Sequence, residues 1–397
     1  MTRTSTLLVK SDLMRWARES AGMSVRQAAK TLGIRAKTLE QWETIEARPT
    51  GRQLEKLADV YRRPLASFFM SSPPSEPPLP ADFRVLPSDE DRKLSSATLF
   101  AARRARRLQR VFAELARDFP RAAPTESISA QLTEHSEVVV ARARALVGIY
   151  LDEQLSWRDP RIALREWRRA VERTGVLVFQ FSMPLKEVRG FCFSGDVPAV
   201  VLNSKDSYTG RIFTLFHEWA HLFLHKPGIC IPEEDMAELG YLRSAVQQTN
   251  QVEVFCNAFS GNFLAPADGL SEHPDFRAYV ERKTSLAQAL TSLSQDFSVS
   301  RHVILRRLLT VGVVSKAGYQ QTVERWKQLF GAPRKPKKAS GGPSPPVRVV
   351  SELGPTFVGR VVEAFDRGII DYSDVADYLS IRVKHLSRVH AVLPAQY

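Results

Sequence analysis

The chain has 397 residues, 44% of them hydrophobic and 25% charged, with a formal net charge of +13. That length holds two to four domains, and the basic balance favours polyanionic partners, nucleic acid above all. Three cysteines without paired spacing argue against a disulfide framework and suit a reducing cytosol. The N-terminal MTRTSTLLVK lacks the apolar core of a secretory signal, and no apolar run approaches the ~18 residues of a membrane span. A cytoplasmic protein with no membrane partner is expected.

Residues 1–70 read as a compact five-helix unit. Asp12 to Ala21 carries a first helical pattern, Ser24 is a good N-cap for Val25–Leu32, Gly33 makes a turn, and Arg35–Glu43 follows as a third helix. Pro49-Thr50 opens a fourth, and Leu65, Phe68 and Phe69 are expected to complete the core. The stretches SVRQAAKTLGIRAKTLEQWE and RPTGRQLEKLADVYRRPLASFF resemble the Xre-type helix-turn-helix family over about fifty residues. The resemblance implies that the third helix enters the major groove of operator DNA. Gln27 falls where that family contacts phosphate, Lys37 and Gln41 fall on the groove side, and Arg35 and Arg48 come within reach of phosphate. Leu39 and Trp42 face the core. The family's glycine after the third helix is missing, since Thr44-Ile45-Glu46 stands there. A helical protein-interaction module of the same fold is the alternative.

Residues 71–124 begin with a linker, half proline over 71–80 (SSPPSEPPLP), and continue into an Arg-rich helix over 92–119. Arg103, Arg104, Arg106, Arg107 and Arg110 crowd that helix, either as a solvated face or as a polyanion site.

Residues 125–270 carry the chemistry. Helices over 136–150 and 160–174 precede strand candidates at 175–181, 188–193 and 198–203. Then comes His217-Glu218-Trp219-Ala220-His221 inside an apolar helical pattern. Residues i and i+4 share a helix face, so both imidazoles reach one zinc ion and Glu218 stands beside its water as general base. Burying these groups unpaired would cost about 1–3 kcal/mol each, a penalty that a metal removes. His225 is a poor third ligand, because eight residues on a straight helix span about 12 Å. Glu233, Glu234, Asp235 and Glu238 read as a solvated loop. Glu253 is the better candidate, at the start of a second helix over 253–264, although a surface glutamate at a helix start is the plain alternative.

HEWAHLFLH followed by EVFCNAFSGNFLAP resembles the ImmA/IrrE family of metallopeptidases. The resemblance implies a zincin-like core with a small sheet, zinc held by His217, His221 and Glu253, and Glu218 as general base. Cys256 and Ser260-Gly261 replace small residues of that pattern by other small ones. Pro198–Asn203 resembles the strand before the family's zinc helix, where an edge strand can align an extended substrate.

Residues 271–330 read as a helical unit with helix, tight turn and helix over 286–309. A basic Pro/Gly/Ser linker follows at 331–347 and a helical unit at 348–397. Val375–Arg382 aligns without a gap on Ala28–Arg35, so the C-terminus is expected to be helix-turn-helix-like. The fold class is therefore α+β, mainly α. The leading reading is a zinc metallo-endopeptidase fused to a DNA-binding domain. The resemblance implies a protein substrate, often an Xre-type repressor, cut in trans. The Pro-rich linker adds a cut in cis between about residues 71 and 100, or occlusion of the DNA-binding domain, as an expectation, and a homodimer is a candidate state. A regulator whose zinc domain only senses or scaffolds, or an antitoxin-like partner, is the alternative; the intact Glu218 favours the enzyme, since a structural zinc needs no base.

Overall fold

The structure is a computed structural model that describes residues 9–44, 46–74, 94–119, 128–225, 229–230, 245–330 and 343–393. The linker segment 75–93, the acidic run from Glu233 to Glu238 and the basic stretch 331–342 lie outside the described residues. Two compact units divide the chain, Met1–Arg104 and Ala105–Tyr397. The fold is α+β and mainly helical. Among the described residues no helix is long and apolar enough to cross a membrane.

The first unit holds α1 (Ser11–Ser20), α2 (Val25–Leu32), α3 (Ala36–Glu43), α4 (Gly51–Tyr61) and a 3-10 turn, Leu65–Phe69. Ser24 and Thr50 cap α2 and α4 through reciprocal bonds with Gln27 and Gln53. Leu13, Ala17, Leu39, Trp42, Leu54, Leu57 and Tyr61 form the core. Arg18 on α1 donates to both oxygens of Glu43 at 2.7 and 2.8 Å, and the pair is buried. Of the three apolar residues expected to close this core, only Phe68 does so; Leu65 and Phe69 are 39% and 50% exposed. In a 3-10 turn consecutive residues point a third of a turn apart, so Phe69 cannot follow Phe68 inward. Leu65 sits at the open start of the turn.

Helix α5 (Ser96–Ala116) begins in the first unit and ends in the second. Much of its arginine cluster is committed to packing. Arg103 lies over Phe100 and donates to Tyr61 O, Arg106 lies over Phe193, and Arg107 pairs with Asp377.

The second unit continues with α6 (Ser136–Val147), α7 (Leu151–Ser156), α8 (Pro160–Arg173), β1 (Leu177–Phe181), β2 (Gly190–Phe193), β3 (Ala199–Asn203), α9 (Tyr208–Phe223), β4 (Ile229–Cys230) and α10 (Ala245–Leu264). Its sheet runs β1-β3-β2-β4, with β1 parallel to β3 and the other pairs antiparallel. Strands β1 to β3 are buried on both faces, which explains their continuous apolar runs. Strand β3, expected to offer an edge to substrate, pairs on both sides and has no free edge. Aromatic rings weld α8, α9 and α10 together: Trp167 meets Phe216 edge-on at 5.1 Å, and Phe216 stacks on Phe263 at 4.1 Å.

Helices α11 (Ala267–Glu272), α12 (Pro274–Val280), α13 (Leu286–Asp296), α14 (Arg301–Thr310) and α15 (Lys316–Phe330) follow. Leu290, Leu293, Ile304 and Leu308 join the same core as the sheet, and Arg307 donates to Ala265 O at 2.8 Å. The C-terminal helices are α16 (Pro345–Leu353), α17 (Pro355–Asp366), α18 (Tyr372–Leu379) and α19 (Leu386–Val392), the last two joined through a 3-10 turn at Val383–His385. The first two dock on β1 through a buried clamp. Arg168 on α8 donates to Glu172 Oε1 at 3.0 Å, to Ser351 O at 2.6 Å and to Val178 O. Glu172 Oε2 accepts the Thr356 N–H in the first turn of α17 at 3.3 Å. Phe357, fully buried, meets Phe179 of β1.

Gly354 makes this docking possible. Its φ is +85°, and a Cβ there would lie 2.3 Å from Glu172 Oε1 and 2.7 Å from Arg168 Nη2. Gly354→Ala is expected to destabilise the docked segment by about 2 kcal/mol or more. Amide hydrogen exchange checks this: faster exchange in 345–366 and β1 is the expected outcome, and unchanged protection contradicts it.

Candidate metal centre

The metal residues come from two helices that cross in the aromatic core. Helix α9 turns Ile212, Leu215, Phe216, Trp219 and Phe223 toward that core, which leaves His217, Glu218 and His221 on another face, still buried. Helix α10 brings Glu253 against them. It begins at Ala245, so Glu253 stands two turns inside it rather than at its start. His225 follows the end of α9 with a φ of +52° and is exposed, which places it as a helix terminator.

Three ligand atoms converge. His217 Nε2 and His221 Nε2 each lie 3.1 Å from a different oxygen of Glu253, and the two nitrogens lie 3.2 Å apart. Asn257, one turn beyond Glu253, places its Oδ1 3.0 Å from His217 Nδ1. With a proton on that Nδ1, the Nε2 lone pair faces the centre. His217 and His221 are 1% exposed and Glu218 is fully buried.

Electrostatics sharpen the picture. Burial disfavours the His217 imidazolium, but the Glu253 carboxylate beside it outweighs burial and raises its pKa. Burial likewise opposes the charge on Glu253, yet the two imidazoles hold it well below the usual carboxylate range. Burial pushes Glu218 up, against the pull of both histidines. Neither oxygen of Glu218 has a hydrogen-bond partner of regular geometry, and the Cys192 thiol offers only a weak favourable interaction.

These residues fit a catalytic zinc ion. Two imidazoles and a carboxylate are a common zinc set that leaves one position open, and all three ligand atoms lie within 4.8 Å of one another. The orphaned Glu218 carboxylate beside them is what a base for a metal's water requires.

One contributor was not visible in the sequence. Gly190, the first residue of β2, lies against α9: a Cβ there would stand 2.4 Å from Thr214 Cγ2 and 3.7 Å from Glu218 Cγ. Glycine therefore lets the sheet approach the base closely. Its only signal in the chain is a glycine at the start of a strand pattern.

The DNA-contact candidates lie on the first unit's surface. Gln27, Arg35, Lys37 and Arg48 are exposed and Gln41 is half-buried. Lys37 and Gln41 stand one turn apart on α3, whereas Leu39 and Trp42 are buried. The Gln27 side-chain oxygen accepts from Ser24 N at 2.9 Å, so this residue also caps its helix.

Known families match both regions. Residues 171–309 match the peptidase family described as the IrrE N-terminal-like domain. Residues 14–68 match the helix-turn-helix family. The chain thus carries a region similar to each. No curated protein matches it. The IrrE-like match takes in the sheet, both metal-site helices, α13 and most of α14, and it stops before α15 and the C-terminal helices.

His217→Ala and Glu253→Ala are each expected to abolish stoichiometric zinc binding. Asn257→Ala is expected to keep the fold and weaken zinc about 10- to 100-fold, since His217 loses the group that orients it. Competition with a chromogenic chelator measures both; wild-type affinity in Asn257→Ala would remove Asn257 from the site.

Proposed function

We propose that this protein is a cytoplasmic zinc-dependent metallo-endopeptidase with a sequence-specific DNA-binding domain, and that it regulates transcription by cleaving an Xre-type repressor. The observation that carries the reading is Glu218: a fully buried carboxylate, without a regular hydrogen-bond partner, next to three converging ligand atoms. A carboxylate in that position costs free energy that a purely structural metal site has no use for.

His217, His221 and Glu253 would hold the zinc, and Asn257 would set the His217 ring. When bound, the metal supplies Lewis-acid chemistry, bringing the pKa of water to about 7 and polarising a carbonyl. Glu218 accepts the proton of the attacking water and returns it to the leaving amine. Buried walls of β2 and α9 keep bulk water from Glu218. With β3 paired on both sides, β4 is the antiparallel strand at the end of the sheet among the described residues, and an extended peptide would pair there. For a cut in cis, α5 is already helical from Ser96, so the cut would fall before that residue.

The DNA-binding half rests on the helix-turn-helix match and on the exposed row of Arg35, Lys37 and Arg48. Lys37 and Gln41 would read bases from α3, with Arg35, Arg48 and Gln27 on phosphates.

Glu218→Gln is expected to retain zinc and lose cleavage of a co-expressed helix-turn-helix repressor, because the ligands stay and the base goes. Full proteolysis by this variant would sink the mechanism. On DNA, Lys37→Ala should weaken operator binding and change base preference, by about 1–3 kcal/mol at the position it reads. Gln27→Ala should weaken binding with little change in preference. A selection from random duplexes measures both; identical preferences in Lys37→Ala and wild type would remove α3 from the groove.

A further inference from the structure

The turn of the N-terminal helix-turn-helix recurs, residue for residue, near the other end of the chain. Ser24 and Asp371 are each an N-cap that closes a capping box, with Gln27 and Asp374 respectively, and each opens an eight-residue helix. The next residue is left-handed in both, Gly33 at φ 68°, ψ 35° and Ser380 at φ 52°, ψ 44°. Ile34 N donates to Ala29 O at 3.0 Å, and Ile381 N to Ala376 O at 3.2 Å. Arg35 and Arg382 then open the second helix with nearly equal backbone angles, φ −74°, ψ 144° and φ −77°, ψ 139°. Leu39 and Trp42 point inward from one second helix, Leu386 and Val389 from the other.

A third copy of the turn shows what a purely structural version looks like. Ser298 is left-handed, Val299 N donates to Ser294 O, and Ser300 caps α14. Its outer positions are covered: His302 bonds the Tyr319 hydroxyl at 2.9 Å, and Arg306 lies over the Tyr319 ring. Helix α15 sits where DNA would have to lie.

The C-terminal copy keeps that face open. Arg382, Lys384 and Arg388 hold the positions of Arg35, Lys37 and Gln41, and all three are exposed. None of their side chains has an ion pair or hydrogen bond among the described residues. The nearby acids are occupied, Asp371 and Asp374 in the cap of α18 and Asp377 with Arg107. Three unpaired cations at groove-facing positions of a helix-turn-helix match the charge of a phosphate backbone.

We propose that residues 371–392 form a second DNA-binding helix-turn-helix, which grips the backbone of duplex DNA through Arg382, Lys384 and Arg388. Carboxylates close the N-terminus of α18, so that helix offers no amides to phosphate. The grip therefore comes from the second helix alone and tolerates many sequences. A protein with such a site holds DNA at two places, one that reads sequence and one that adds affinity through charge.

The test uses the full chain and a short fluorescent duplex of arbitrary sequence, titrated by anisotropy over a range of salt. Protein carrying R382A, K384A and R388A together is compared with wild type and with R35A/K37A. The triple variant is expected to bind about tenfold or more weakly at low salt. The slope of log affinity against log salt should fall by about two to three, at ~0.9 for each phosphate no longer neutralised. R382K/R388K, which keeps every charge, should retain the wild-type slope. Unchanged affinity and slope in the triple variant overturn the proposal. Should that variant melt early, Lys384→Ala alone decides: a slope lower by about one supports the site, and an unchanged slope overturns it. The two DNA sites fail separately, because loss confined to R35A/K37A overturns only this one and loss confined to the triple variant overturns only the N-terminal one.

Discussion

Two imidazole nitrogens and a carboxylate meet within hydrogen-bond distance of one another beside the aromatic core of the second unit. Three lone-pair donors do not converge in a dry core without a cation or proton to hold them. The rest of the second unit can be read as what such a convergence demands. The edge-on ring of Trp167 and the stacked rings of Phe216 and Phe263 fix the crossing of α9 and α10, Asn257 fixes a ring, and Gly190 lets β2 come up to Glu218. A small shift of either helix would part ligands that come from different segments of chain.

The same packing extends further than the family match. Helices α13 and α14, within the match, share the core of the sheet, and beyond the match the Arg168–Glu172 clamp draws α16 and α17 onto β1. That clamp is a buried ion pair with backbone partners on both sides. Replacing one member would leave the other charged and unpaired, which costs about 3–5 kcal/mol in comparable cases. The C-terminal helices are thus built into the second unit, and they take up the β1 edge that would otherwise be open to stray pairing.

What the sequence showed, and what it hid, follows from the range of the interactions. The convergence of His217 and His221 was legible because their spacing is local, four residues on one helix. Glu253 was legible as a costly carboxylate in an apolar pattern, but not its place inside a longer helix, since residues 245–252 carry little apolar periodicity. The caps at Ser24 and Thr50 and the turn at Gly33 were local as well. Long-range partners were not. Nothing near Glu43 announces Arg18, nothing near Gly354 announces Glu172, and a central position for β3 depends on strand order that no single strand encodes. The arginines of α5 misled for the same reason: a run of charge looks like a surface for polyanions until the rings and carbonyls that receive it are in place.

The proposed chemistry turns on whether His217, His221 and Glu253 hold zinc through two nitrogens and one protein oxygen. Zinc K-edge absorption of the purified full-length protein tests it most directly. A four-coordinate shell of nitrogen and oxygen at ~2.0–2.2 Å, with two imidazoles and no sulfur, is the predicted result. A sulfur shell at ~2.3 Å would contradict it, since none of the three proposed ligands carries sulfur.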